Sequence, residues 1–286
     1  MKRILVCTDG SIFSQSSYRY AAWLARRLNA GVDVLHVTDI RGQQAILTDN
    51  LSGTLGLDAS RELLDRLVEV EHEKARIAHQ KSKLILENAA RFFESKKIPF
   101  QTIHETGFLV DIFHQFEEKA DAIVLGKRGE NAQFASGHLG ANLDRIVRAS
   151  HKPCWMSSRE FQPIDRILLA YDGSSSSQKM LRFMMDSSVF KGLELHILKV
   201  TQNPEDESAI ACLEAAETQA RSAGFDPICC LLEGHPETAI GTYIEERNIN
   251  LLLMGAYGHS RIRHLIVGST TLQMLRSSHV PVFLFR

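Results

Sequence analysis

Along this 286-residue chain, short continuous apolar runs alternate with longer stretches in which apolar residues return every three or four positions. In the second part of the chain the runs are RILLAY, LELHILKV, PICCLLE, NLLLMG and VPVFLF. Runs of this length, bounded by turn residues, read as strands, and those that are apolar throughout are buried on both faces. The stretches between them read as helices covering the sheet. Strand and helix in alternation predict a doubly wound α/β unit with a parallel sheet.

The same pattern occurs earlier in the chain, in register. KRILVCTDGSIFSQ set against DRILLAYDGSSSSQ matches Arg3, Ile4, Leu5, Asp9, Gly10, Ser11, Ser14 and Gln15 with residues 163 positions later. That offset also carries Arg19 onto Arg182 and Val37-Thr38 onto Val200-Thr201. It falls to 129 where VLGKRG faces LMGAYG, and to 128 where Gly140 faces Gly268 and Pro153 faces Pro281. The chain is therefore expected to hold two copies of one unit, residues 1–158 and 164–286, with SSREFQPID (residues 157–165) as the linker.

The fall in offset from 163 to 129 leaves 34 extra residues in the first copy, between Asp39 and about Ile98. This insertion, about residues 40–97, opens with TDNLSGTLGLDAS, a loop. RELLDRLVEVEHEKARIAHQKSKLILENAARFFESKK follows, free of Gly and Pro, and predicts one long amphipathic helix capped near Ser60. Each copy ends in an apolar strand, PCWM or VPVFLF, whose unpaired edge invites pairing. The two copies are expected to join there as a pseudo-two-fold pair, with a homodimer as a further level of assembly.

In an open parallel sheet, ligands bind beyond the carboxyl ends of the strands where strand order reverses. Three segments of the second copy should meet there: AYDGS, Val200-Thr201 and MGAYG. The last opens a longer pattern, Gly255 and Gly258, nine residues, then Gly268-Ser269-Thr270. Gly255 and Gly258 let backbone approach a ligand. Gly268, Ser269 and Thr270 open a helix whose N-H groups and hydroxyls suit an anion, with His259, Arg261 and Arg263 close in sequence to add charge. Asp172 either caps the helix after the first strand or, with the backbone of Ala170 and Tyr171, accepts from the exocyclic amino group of a base walled by Val200. The chemistry reached this way is binding of a di- or triphosphate nucleotide.

These residues resemble a tandem universal stress protein, a family patterned as an Asp after the first strand followed by G-x2-G-x9-G-[ST]. Asp172, Gly255, Gly258, Gly268 and Ser269 match it residue for residue. The resemblance implies an adenine-nucleotide α-hydrolase-like fold and an ATP site. In that site Ala170, Tyr171, Asp172 and Val200 surround adenine, Met254 and Gly255 lie at the ribose, and Gly258, Gly268, Ser269 and Thr270 hold phosphates. The first copy offers Thr8, Asp9, Val37, Leu125, Gly126 and Gly129. Ten residues then precede Gly140, and Ala141-Asn142 replace the hydroxyl pair, which makes a degenerate second site with Lys127 and Arg128 as compensating charge.

Composition removes other classes. A formal net charge of -1 with both signs intermixed gives no basic field for nucleic acid or acidic lipid. No apolar run approaches the roughly 20 residues of a membrane span, and the N-terminus lacks the pattern of a signal peptide. Cys7, Cys154, Cys212, Cys229 and Cys230 follow neither a disulfide framework nor metal-ligand spacing, which points to the cytoplasm. Any Mg2+ is expected to arrive with the phosphates, and His36, His196 and His235 read as satisfied strand or loop residues. No carboxylate or His is clearly placed as a catalytic base. An ATP-binding stress-response regulator is therefore the leading expectation, ahead of a slow ATPase or nucleotidyl transferase and of a nucleotide-independent scaffold built on the long helix.

Overall fold

The computed structural model describes residues 2–39, 57–127, 141–255 and 269–285. The first half runs β1 (Arg3–Cys7), α1 (Ser14–Leu28), β2 (Gly31–Asp39), α2 (Leu57–Ser95), β3 (Phe100–Gly107), α3 (Leu109–Glu117), β4 (Ala122–Gly126), α4 (Ala141–Ala149) and β5 (Cys154–Ser157). The second runs β6 (Arg166–Ala170), α5 (Ser175–Asp186), β7 (Glu194–Thr201), α6 (Glu207–Ser222), β8 (Ile228–Glu233), α7 (Pro236–Glu246), β9 (Leu251–Gly255), α8 (Ser269–Ser277) and β10 (Val282–Phe285).

The strands form one ten-stranded sheet in the order β3-β2-β1-β4-β5-β10-β9-β6-β7-β8. Within each half every pair is parallel, as the buried apolar runs require. Alternate strand residues feed two cores. Ile4, Val6, Val124, Trp155, Ile167, Leu169, Leu253 and Phe283 face α1, α2, α5 and α6. Leu5, Ile123, Leu125, Met156, Leu168, Leu252, Met254 and Leu284 face α3, α4, α7 and α8. Strand order reverses between β1 and β4 and again between β6 and β9, which places one crevice in each half.

The halves join where the apolar termini predicted, by antiparallel pairing of β5 with β10: Met156 opposite Val282, Trp155 opposite Phe283, Cys154 opposite Leu284. Trp155 is the hub of the junction. Its ring centroid lies 5.5 Å from Tyr20, 5.7 Å from Trp23 and 5.5 Å from Phe283. Backbone carbonyls of the second half are also captured directly, since Arg27 Nη1 donates to Val189 O at 2.7 Å and to Lys191 O at 2.9 Å. Because β5 and β10 are antiparallel, the carboxyl ends of the strands in the two halves point to opposite edges of the sheet.

Helix α2 is 39 residues long, roughly 58 Å at 1.5 Å per residue. Its described residues begin at Leu57, three positions before Ser60. The preceding insertion loop falls on residues 40–56, outside the described set. Among the described residues the later part of α2 packs on the sheet, through Ser82, Ile85, Ala89 and Phe93 at helical spacing. Earlier in the helix Val68, Val70 and Ile77 are exposed.

Burial also settles the thiols. All five cysteines are free, and desolvation pushes the Cys7 and Cys154 pKa values up to about 12, so neither is a reactive thiolate near neutral pH.

Trp155→Ala should cost about 3–5 kcal/mol of stability. Because Trp155 joins the halves, denaturant unfolding followed by circular dichroism should also broaden or split into two steps. A loss under about 1 kcal/mol with one unchanged transition would show that the halves do not depend on this ring.

Candidate functional site

The crevice of the second half is a cavity of about 190 Å³. It is lined by Ala170, Tyr171 and Asp172 after β6, Leu198 and Val200 on β7, Met254 and Gly255 ending β9, and Ser269, Thr270 and Thr271 opening α8. Ser174, Ser177, Pro236 and Ile240 complete the lining. The three segments expected to converge do so, because β6 lies between β7 and β9 and Ala170 pairs with both Leu198 and Met254. Leu198, Val200, Ile240 and Met254 make one wall apolar, and Asp172, Ser269 and Thr270 supply polar groups at its rim.

The D-G-S turn is built alike in both halves. Asp172 Oδ1 accepts from Ser174 N at 2.9 Å, and Asp9 Oδ1 accepts from Ser11 N at 3.0 Å. Gly173 and Gly10 follow at φ of 82° and 75°, a left-handed conformation that a side chain would strain. Asp172 therefore closes the turn, while the N-cap of α5 is Ser174, whose Oγ accepts from Ser177 N. Tyr171 N donates to Leu198 O at 2.8 Å, so this amide belongs to the sheet, and the Tyr171 side chain is buried.

Gly255, which lines the cavity, also has a packing reason to lack a side chain. A Cβ on it would lie 2.5 Å from Ser176 Oγ and 2.8 Å from Ser177 N. The absence of a side chain lets the start of α5 pack against the end of β9. Thr271 Oγ1 donates to Gly255 O at 3.2 Å and ties α8 to the same strand end. Thr270 Oγ1 donates to Glu237 Oε1 at 3.0 Å across the cavity rim.

Gly258, His259, Arg261, Arg263 and Gly268 lie outside the described residues, as do Arg128, Gly129 and Gly140 in the first half. Asn142 sits in the first turn of α4. The other first-half residues are placed. Thr8 Oγ1 and Tyr18 OH share a hydrogen bond of 2.6 Å, Val37 packs into the second core, and Gly126 ends β4. Lys127 does not serve as a charge for that site. It is buried, and its Nζ donates to Ser278 O at 2.9 Å and Val280 O at 2.6 Å, across the junction with the second half. Its position just after β4 aims it at the turn preceding β10.

His36 and His196 are satisfied by hydrogen bonds, whereas the His235 side chain makes no cap bond. His36 Nδ1 donates to Thr8 O at 2.8 Å, and its Nε2 lies 3.1 Å from Ser82 Oγ. Burial lowers its pKa, with the nearby His104 acting in the same direction and the bond to Thr8 opposing. His196 Nδ1 meets Tyr243 OH and its Nε2 meets Glu194 Oε1, both at 2.8 Å, and His235 occupies the N-cap position of α7. Among the described residues no group of three or more His, Cys, Asp or Glu could hold a metal, and no helix is long and apolar enough to cross a membrane.

Sequence reasoning missed a fourth wall, the start of α7. Pro236 and Ile240 enter the cavity because β8 ends at the same edge as β6, β7 and β9, and a G-x-P turn before a helix was the available signal. Leu198 was legible too, two residues before Val200 and hence on the same face. Ser174 and Ser177 were hidden in a serine run that reads only as a helix start.

The model of a family described as the universal stress protein family matches residues 1–158 and 201–286. The chain is 52% identical over 287 residues to universal stress protein Slr1230 of Synechocystis, covering 100% of both. Among solved structures it is similar to a universal stress protein from Archaeoglobus fulgidus, with 25% identity, a TM-score of 0.73, and 99% of this chain and 98% of the other covered. It also shares its fold with PA1789 from Pseudomonas aeruginosa, at 14% identity and a TM-score of 0.65, with 100% and 92% covered.

Gly255→Ala should destabilise the protein by about 1–3 kcal/mol, because the added methyl meets backbone that cannot rotate away. Thermal unfolding checks this. An unchanged melting temperature would show that α5 can retreat without cost.

Proposed function

Because the chain belongs to the universal stress protein family, whose role lies in stress response, we propose that its second half is a nucleotide-binding regulatory site that takes ATP. The observation that carries this reading is the convergence of Ala170, Asp172, Val200, Met254, Ser269 and Thr270 on one cavity at a strand-order reversal. The apolar wall of Leu198, Val200, Met254 and Ile240 suits a planar base. Asp172 and neighbouring backbone edge that wall and supply hydrogen-bond partners for an exocyclic amino group. The first turn of α8, a nine-residue helix, presents Ser269 and Thr270 and the positive end of its dipole to phosphate oxygens.

In this reading bound ATP changes the surface the protein presents. Mg2+ would enter with the phosphates and neutralise them. The protein acts in the cytoplasm, in keeping with its free thiols. The first half takes ATP poorly or not at all. It shares the Asp turn and the valine but has Ala141 and Asn142 where the second has Ser269 and Thr270, and Lys127 is committed to the junction.

Losing the hydroxyls and shifting the helix start by one residue should together cost the first site about 3 kcal/mol, more than a hundredfold in affinity. Calorimetric titration of ATP into wild type, Gly129→Val and Gly268→Val reads this out. Gly268→Val should abolish the tight site and Gly129→Val should leave it unchanged. The reverse pattern would assign the site to the first half, and the absence of binding in wild type would end the ATP reading.

A further inference from the structure

One contact at the phosphate end of the cavity runs against the chemistry around it. Thr270, in the first turn of α8, offers its hydroxyl at a place suited to an anion, and that hydroxyl donates to Glu237 Oε1 at 3.0 Å. Glu237 is held there by its own helix. Pro236 occupies the first turn of α7 and lines the cavity, and Glu237 follows it, half-buried. Two helix starts thus meet at the rim, and a carboxylate of the chain itself takes the position that the α8 N-terminus would give to an incoming anion.

We infer that Glu237 makes the phosphate end of this site selective for charge: it disfavours a highly charged, unneutralised phosphate chain and admits one whose charge is low or is screened by a divalent cation. The inference rests on the nucleotide reading of the cavity. A phosphate oxygen that takes the Thr270 hydroxyl must displace the Glu237 carboxylate and then lie beside it, and the repulsion between like charges grows with the charge brought in. ATP without a divalent cation carries the most, Mg2+-ATP less, and an adenosine monophosphate less than free ATP. The same carboxylate, once released from Thr270, is an oxygen ligand of the type that Mg2+ accepts beside phosphates.

The position of this acid differs between the halves. Gly234 and Gly107 mark the same turn in the two copies, both at positive φ, 133° and 150°. Three residues on from Gly234 stands Glu237; three residues on from Gly107 stands Val110. The matching position therefore carries an acid beside the Ser269-Thr270 hydroxyl pair and an apolar residue in the other half, where the acid of that first turn is Asp111, one residue on.

Glu237→Gln tests this without removing the contact, since the amide oxygen still accepts from Thr270. Dissociation constants are measured on the full chain, wild type and variant, for ATP with a chelator, ATP with excess Mg2+, and AMP. The expected result is that the variant binds chelated ATP about tenfold more tightly, equivalent to about 1.4 kcal/mol, with changes several times smaller for Mg2+-ATP and AMP. An equal change for all three ligands, or none for any, would show that Glu237 acts only as a structural partner of Thr270 and overturn the inference while leaving nucleotide binding intact. Wild-type protein that binds none of the three would overturn the nucleotide reading and this inference with it.

Discussion

The antiparallel pairing of β5 with β10 is the constraint on which the rest of this structure depends. Each of these strands ends its own half and would otherwise be an exposed apolar edge. Paired, they become the centre of one sheet, and Trp155 and Phe283 become core residues with 0% and 1% exposure. Each half packs its own rings on its own strand, Tyr20 and Trp23 of α1 on Trp155 and Phe183 of α5 on Phe283, while the Arg27 and Lys127 cations cap carbonyls of the opposite half. The junction also determines where function can sit. The antiparallel join sends the two crevices to opposite edges of the sheet, so each half must build its site from its own strand ends.

That separation explains how the two copies could diverge. The turn after the first strand is conserved in structure between them, with Asp9 and Asp172 accepting the same amide hydrogen bond and Gly10 and Gly173 in the same left-handed conformation. What differs lies at the phosphate end. The second half keeps Ser269 and Thr270 and faces them with Glu237, whereas the first turned Lys127 inward as part of the junction. A buried ammonium needs acceptors, and the Ser278 and Val280 carbonyls meet that need, so the residue contributes to assembly of the halves.

Much of this was legible in the residues because it rests on periodicity and repetition. The internal match placed the strands, the insertion and the pairing ends, since burial on both faces leaves a continuous apolar signature. The Ala170, Asp172, Val200 and Met254 cluster followed from the rule that strand ends at an order reversal meet. Features that depend on packing were not readable. Gly255 fits a ligand-approach pattern, yet the atoms a side chain would strike belong to Ser176 and Ser177. Lys127 looked like a charge beside a glycine loop, and only the fold shows it crossing to the other half. Pro236 and Glu237 follow a G-x-P turn that marks a helix start in the sequence but does not say that the helix borders the cavity.

The central claim is that nucleotide binding belongs to the second half. Hydrogen-deuterium exchange of the full chain with and without ATP and Mg2+ tests it most directly, since it reports every strand end at once. The account predicts new protection at the D-G-S turn and start of α5, at the end of β7 and in the first turn of α8, with no change around Asp9, Val37 and Gly126. Protection confined to the first half, or no change anywhere with ATP in excess, would contradict it.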